Sequence, residues 1–88
     1  MGKYERMREI IMKTPTANDI SPEKLQAFLK HYGFELKRVT GSHFIYAYKG
    51  SQKEFMLNIP MHSPVKPAYI DMIRDQIVKI EEENHGQL

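Results

Sequence analysis

Between Lys3 and Thr14 the apolar residues Tyr4, Met7, Ile10 and Ile11 recur at helical spacing, which predicts a short amphipathic helix. Thr14-Pro15 ends it, because the residue before a proline is pushed out of the helical region. The polar, turn-rich run "PTANDI" reads as a connector. A second helix is predicted over 22–32. Ser21 offers an N-cap, and Pro22 suits the first helical position, where its missing N–H costs nothing. Leu25, Phe28, Leu29 and Tyr32 then form one apolar stripe, and Gly33 can take the left-handed conformation that stops the helix.

From Phe34 the period falls to two. The runs "FELKRV", "HFIYAYK" and "EFMLNIP" predict strands over 34–39, 43–49 and 54–60, each bounded by Gly, Ser or Pro. Thr40-Gly41-Ser42 and Gly50-Ser51-Gln52 are short enough for hairpins, so the sheet should be an antiparallel meander. Pro60 lacks a ladder donor and either ends the third strand or puts it at an edge. Pro67 opens a last helix, 67–82, with Ile70, Ile73, Ile77 and Ile80 on one face. Residues 1–20 are thus a helix and connector, 21–82 the main domain and 83–88 a polar tail. The expected class is α+β in the order α-α-β-β-β-α, with helices on one sheet face and the other face open. Without the first helix this is the order of the double-stranded-RNA-binding domain, a likeness of topology alone.

Eighty-eight residues allow one domain with a modest core. The N-terminus carries charges where a signal peptide would be apolar, and no run approaches the roughly eighteen apolar residues of a membrane helix. A cytoplasmic protein without membrane contact is the expectation. With no cysteine there are neither disulfides nor thiolate metal sites. The net charge is only +2, but its distribution is uneven. Residues 21–70 hold seven basic and three acidic side chains, whereas residues 71–88 hold two and five. A basic body with an acidic end suits a polyanionic partner, and it equally suits an ordinary solvated surface.

Four histidines differ in context. His31 lies beside Lys30 on the second helix and His85 in the tail, neither with a local partner. His43 opens the second strand and His62 follows the third, so a hairpin brings their ends together, in a register that the pattern leaves open. Two histidines fall short of a metal set, and Glu35 and Glu54 show no ligand spacing. The bland reading of His43 is a strand-end histidine bonded to backbone. Against it stand Gly41 and Ser42, which place flexible backbone and a hydroxyl beside the ring, and Lys37 and Arg38, cations suited to phosphate. A histidine can take the proton from a ribose 2′-OH as that oxygen attacks phosphorus, with cations steadying the charge on the phosphoryl oxygens. That chemistry needs no cofactor. Lys66 stands at the start of the last helix, where the macrodipole disfavours a cation and a phosphate would relieve it. His62 and Lys53 are candidate supporting groups. Met56, Met61 and Met72 are read as core fillers rather than as an exposed patch.

The run "LKHYGFELKRVTGSHFIYAYKG" followed by "FMLNIPMHSPVKPAYIDMI" resembles the HicA family of toxin ribonucleases from type II toxin–antitoxin systems. The markers are a helix ending in Gly-Phe, a basic strand, Gly-Ser-His opening the next strand, Ile-Pro-x-His closing the third, and a helix begun by Lys-Pro. The resemblance covers roughly residues 21–80. It implies a double-stranded-RNA-binding-like fold, metal-independent cleavage of mRNA by the histidine matching His43, and neutralisation by a HicB-type antitoxin, with DNA reached only through the antitoxin complex. Two features depart from it. Many members carry a second histidine where this chain has Phe44, and minimal members lack residues 1–20. Two function classes therefore compete: an endoribonuclease toxin, and a non-catalytic RNA-binding or protein-interaction module of the same fold.

Overall fold

A computed structural model describes residues 2–85. The elements run α1 (Lys3–Met12), α2 (Pro22–Tyr32), β1 (Glu35–Thr40), β2 (His43–Lys49), β3 (Glu54–Pro60) and α3 (Pro67–His85). The strands form one antiparallel sheet in the order β1-β2-β3. Helix α2 lies against β1, α3 lies against β3, and α1 packs on both helices. This is the α+β fold expected from the pattern, with one sheet face covered. No described helix is long and apolar enough to cross a membrane.

The boundaries follow from local chemistry. Ser21 accepts the Lys24 N–H at 3.2 Å and caps α2, with Pro22 in its first turn. At the other end Gly33 has φ +123, its N–H donates to Lys30 C=O, and the Phe34 N–H reaches back to Leu29 C=O at 2.9 Å. These are the two bonds of a Schellman turn. They take Phe34 out of β1, where the alternation had placed it, and β1 starts at Glu35 instead. A Cβ on Gly33 would also stand 3.0 Å from the Tyr48 ring.

Alternation on β2 and β3 builds the core. Phe44, Tyr46 and Tyr48 pair with Ile59, Leu57 and Phe55 on the helix side of the sheet. The α2 stripe (Leu25, Phe28, Leu29) and the α3 stripe (Ile70, Ile73, Ile77, Ile80) are buried against them. Tyr32, Phe34, Tyr48 and Phe55 form a chain of aromatic contacts with centroids 5.4–6.4 Å apart. Met56 and Met72 are not core fillers. Met56 falls between Phe55 and Leu57 and so faces outward, 51% exposed, and Met72 is 44% exposed.

Helix α1 belongs to this core. Ile11 is fully buried, and Tyr4, Met7 and Ile10 pack partly against the cluster. Two arginines fasten the helix. Arg8 forms a two-point bond to Glu81 (3.2 and 2.5 Å), and the same carboxylate accepts the Tyr32 hydroxyl at 3.1 Å, so one side chain of α3 ties α1 and α2. Burial, followed by the Glu81 charge, pushes the Tyr32 phenol well above its ordinary value. Arg74 donates to the carbonyls of Ile11 (2.8 Å) and Lys13 (2.9 Å), satisfying acceptors that a helix C-terminus leaves without partners. His31, without a local partner, stacks on the distant Tyr4 with centroids 4.1 Å apart.

Helix α3 runs to His85, three residues past its expected end, and residues 86–88 lie outside the described chain. The extension has a cause in Glu83, which accepts the Gln52 N–H (3.1 Å) and the Ser51 hydroxyl (2.9 Å) and so clasps the β2–β3 loop.

Two measurements check this architecture. Ile11→Ala should cost about 2–5 kcal/mol in urea denaturation, the range for a large-to-small change in a closed core; a loss near zero would show that α1 is not part of the core. The Gln52 N–H, more than any other group, holds the Glu83 carboxyl below its ordinary value of 4.5. A depressed carboxyl adds stability in full above its unfolded value and loses it as pH falls through the folded one. The melting difference between the parent and Glu83→Ala should therefore be present at pH 7 and shrink as pH falls below the carboxyl's ordinary value.

Candidate functional site

The β1–β2 hairpin turns on Gly41-Ser42, with Thr40 paired to His43. Gly41 has φ +61, and no non-glycine residue among those described has a positive φ. A two-residue loop with a left-handed residue in its first position only is the type II′ pattern, whose twist matches the flanking strands. Beyond the turn the Met61 N–H donates to Ser42 C=O at 2.8 Å, so the end of β3 is fastened to the same corner.

Pairing then assigns faces. Because Phe44, Tyr46 and Tyr48 point to the helices, His43 and Ile45 point to the open side, together with their partners Thr40 and Arg38 on β1 and Pro60 and Asn58 on β3. His43 is exposed, and its ring meets a side chain rather than the backbone bond of the bland reading. Its Nδ1 lies 3.2 Å from Asn58 Oδ1, diagonally across the strand pair. Asn58 was not singled out from the sequence. The signal available was the strand alternation, which puts Asn58 outward as soon as Phe55, Leu57 and Ile59 are inward.

The register of β1 shifts between Leu36 and Arg38, leaving Lys37 unpaired in a bulge. Lys37 donates to Glu35 Oε1 at 2.6 Å on the open face, and this bond raises the lysine pKa and lowers that of the glutamate. Among the described residues Arg38 is in no ion pair, so it is the cation of β1 left to meet an anion. Gly41 and Ser42 form the turn itself.

The remaining candidates separate. His62 lies two residues past Pro60, at the same end of the sheet, but Pro60 and not His62 stands opposite His43. Lys66 is exposed immediately before α3, and its carbonyl accepts the Tyr69 and Ile70 N–H groups that begin that helix. Lys53 is at the far end of the β2–β3 hairpin, beyond the Lys49–Glu54 pair and about 20 Å from His43 at strand rise. Its ammonium sits 5.0 Å over the Phe55 ring. Lys53 therefore cannot assist chemistry at His43.

Among the described residues no group of three His, Asp or Glu side chains is placed to hold a metal ion. Two grooves of about 670 and 660 Å³ lie between α2 and β1 and between α1 and α2. Neither is lined by His43. The histidine site is instead an open surface, a shape that suits an extended polymer rather than an enclosed small molecule.

A model for the HicA toxin of bacterial toxin–antitoxin systems matches residues 22–78, well over half of the chain. The chain belongs to the HicA toxin family. The match contains β1, β2, β3, the Gly41-Ser42-His43 corner, Asn58 and Lys66, and it leaves α1 and the last part of α3 outside. No curated protein and no solved structure matches the chain. Membership makes this a toxin of a toxin–antitoxin pair.

The corner itself can be tested. A Cβ on Gly41 would meet nothing within 4 Å, so substitution there acts through the backbone alone. Gly41→Val should cost about 1–2 kcal/mol, the penalty of a left-handed L-residue, in thermal or urea unfolding.

Proposed function

We propose that this HicA-family protein is an endoribonuclease that cleaves mRNA without a metal, with His43 as general base and a HicB-type antitoxin as its inhibitor. The observation that carries the reading is the exposed His43 at the Gly41-Ser42 turn, inside the family match and beside the free cation of Arg38. In the step, His43 takes the proton of a ribose 2′-OH while that oxygen attacks the adjacent phosphorus. The O2′–P bond forms and the P–O5′ bond breaks, giving a 2′,3′-cyclic phosphate and a 5′-hydroxyl once the leaving oxygen is protonated. Arg38 steadies the phosphoryl oxygens as charge gathers on them, and Lys66 holds a neighbouring phosphate. Lys37, shared with Glu35, contributes less. A surface site fits a long strand that passes over the sheet, and the antitoxin silences it by covering the same face.

Positioned proton transfer is worth about 10²–10⁴ in rate. His43→Ala should lose cleavage by that factor in excess EDTA while its melting temperature stays close to the parent's, because the ring is exposed. Cleavage at the parental rate by the folded variant would remove His43 from the mechanism. A parent that binds RNA but does not cut it would make the domain a non-catalytic binder. Arg38→Ala and Lys66→Ala should each weaken RNA binding and reduce the slope of log K against log salt by about 1. An unchanged slope in both would move the RNA path off this corner.

A further inference from the structure

Asn58 is the one side chain among the described residues in hydrogen-bond contact with His43. The strand pairing does not force that contact. His43 stands opposite Pro60 and Asn58 opposite Ile45, so the two reach each other on the diagonal, and Pro60 offers the ring nothing polar. On the open face the neighbours of His43 are Thr40 and Arg38 of β1, Pro60 and Asn58 of β3, Ser42 in the turn, and His62 past the strand end. The helices pack on the opposite face. Of the nearby acids, Glu35 is bonded to Lys37, and Glu54 pairs with Lys49 at the other end of the hairpin.

We propose that Asn58 is a positioning residue for His43: its side-chain carbonyl accepts the Nδ1–H of the imidazole, fixing the tautomer and the ring plane so that Nε2 keeps its lone pair for the substrate proton. This rests on the reading of His43 as general base. In neutral imidazole one nitrogen donates and the other accepts, and the partner of the first decides which is which. The contact serves both halves of the step, because imidazolium also donates from Nδ1. The amide oxygen thus holds the ring before and after proton transfer without turning.

An amide also suits this surface better than a carboxylate would. An acid within about 4–6 Å would favour the protonated ring and so remove base at neutral pH. It would also repel the phosphates that Arg38 attracts. Asparagine gives orientation without either penalty, at a position that strand alternation makes outward-facing.

The test combines tautomer and rate. With ¹⁵N-labelled histidine, NMR of the parent above the titration of His43 should show the Nδ1–H form. In Asn58→Leu the ring should move toward the Nε2–H form that an unconstrained histidine favours, and kcat for RNA cleavage should fall about 10- to 100-fold with little change in KM. Asn58→Asp keeps an acceptor, so at a pH high enough to keep the ring neutral it should hold the Nδ1–H form and recover most of the rate lost in Asn58→Leu. Its charge should shift the acidic limb of the pH–rate profile to higher pH, since a neighbouring anion raises the histidine pKa. A parental tautomer and kcat in Asn58→Leu, or an Asn58→Asp variant indistinguishable from Asn58→Leu, would overturn the assignment. His43→Ala as a control separates the two readings. An inactive His43→Ala beside an unaffected Asn58→Leu overturns Asn58 alone, whereas an active His43→Ala overturns both.

Discussion

The register between β2 and β3 is the constraint on which the rest depends. Three inward side chains of each strand, Phe44, Tyr46 and Tyr48 against Ile59, Leu57 and Phe55, must reach the helices together. A slip of β3 by one residue would turn its three to solvent and bring Asn58 and Met56 under the helices, and a slip of β2 would do the same with His43. Burial of the aromatic set therefore fixes the position of the histidine as firmly as any contact of its own. The loop clasped by Glu83 at one end and Pro60, opposite His43, at the other set the limits of the pairing. Site and core are two faces of one pleated pair, and neither can be shifted without the other.

The interactions that hold the chain together are unevenly divided between those faces. On the helix side, Glu81 gathers Arg8 and Tyr32, Arg74 closes the end of α1, and Glu83 clasps the far hairpin loop. A domain this small buries a limited core, so side-chain fastenings between its helices matter more than they would in a larger one. On the open face the polar contacts are sparse. Among the described residues they amount to the Glu35–Lys37 pair and the His43–Asn58 bond, both exposed. That face contributes little to holding the chain together, which leaves its residues free to serve a ligand.

Local rules made most of the fold legible. The Ile70, Ile73, Ile77, Ile80 stripe, the Ser21-Pro22 start and the three alternating runs each need only a few neighbouring residues to be read, and each was found where the pattern put it, save that the first strand runs 35–40 rather than 34–39. What escaped was set by distant contacts. Phe34 looks like a strand residue until the Schellman bonds to α2 are counted. His31 has a partner 27 positions away, in Tyr4, and the last turn of α3 depends on a loop some thirty residues earlier. The same holds at the site. His43, Gly41 and Ser42 are contiguous and could be seen together, whereas the link to Asn58 and the remoteness of Lys53 follow from a register that no short window contains.

The limits of the family match add a final step. The Gly41-Ser42-His43 corner, Arg38, Asn58 and Lys66 all lie within residues 22–78, but Arg8 and Glu81, whose ion pair joins α1 to α3, both lie outside. The two outer segments thus hold each other. Ile11 fills the core between α2 and α3, and Glu81 needs Arg8 to balance its half-buried charge. Neither segment supplies a residue to the open face. Helix α1 and the end of α3 form one brace across the back of the helices, on the side away from the open face.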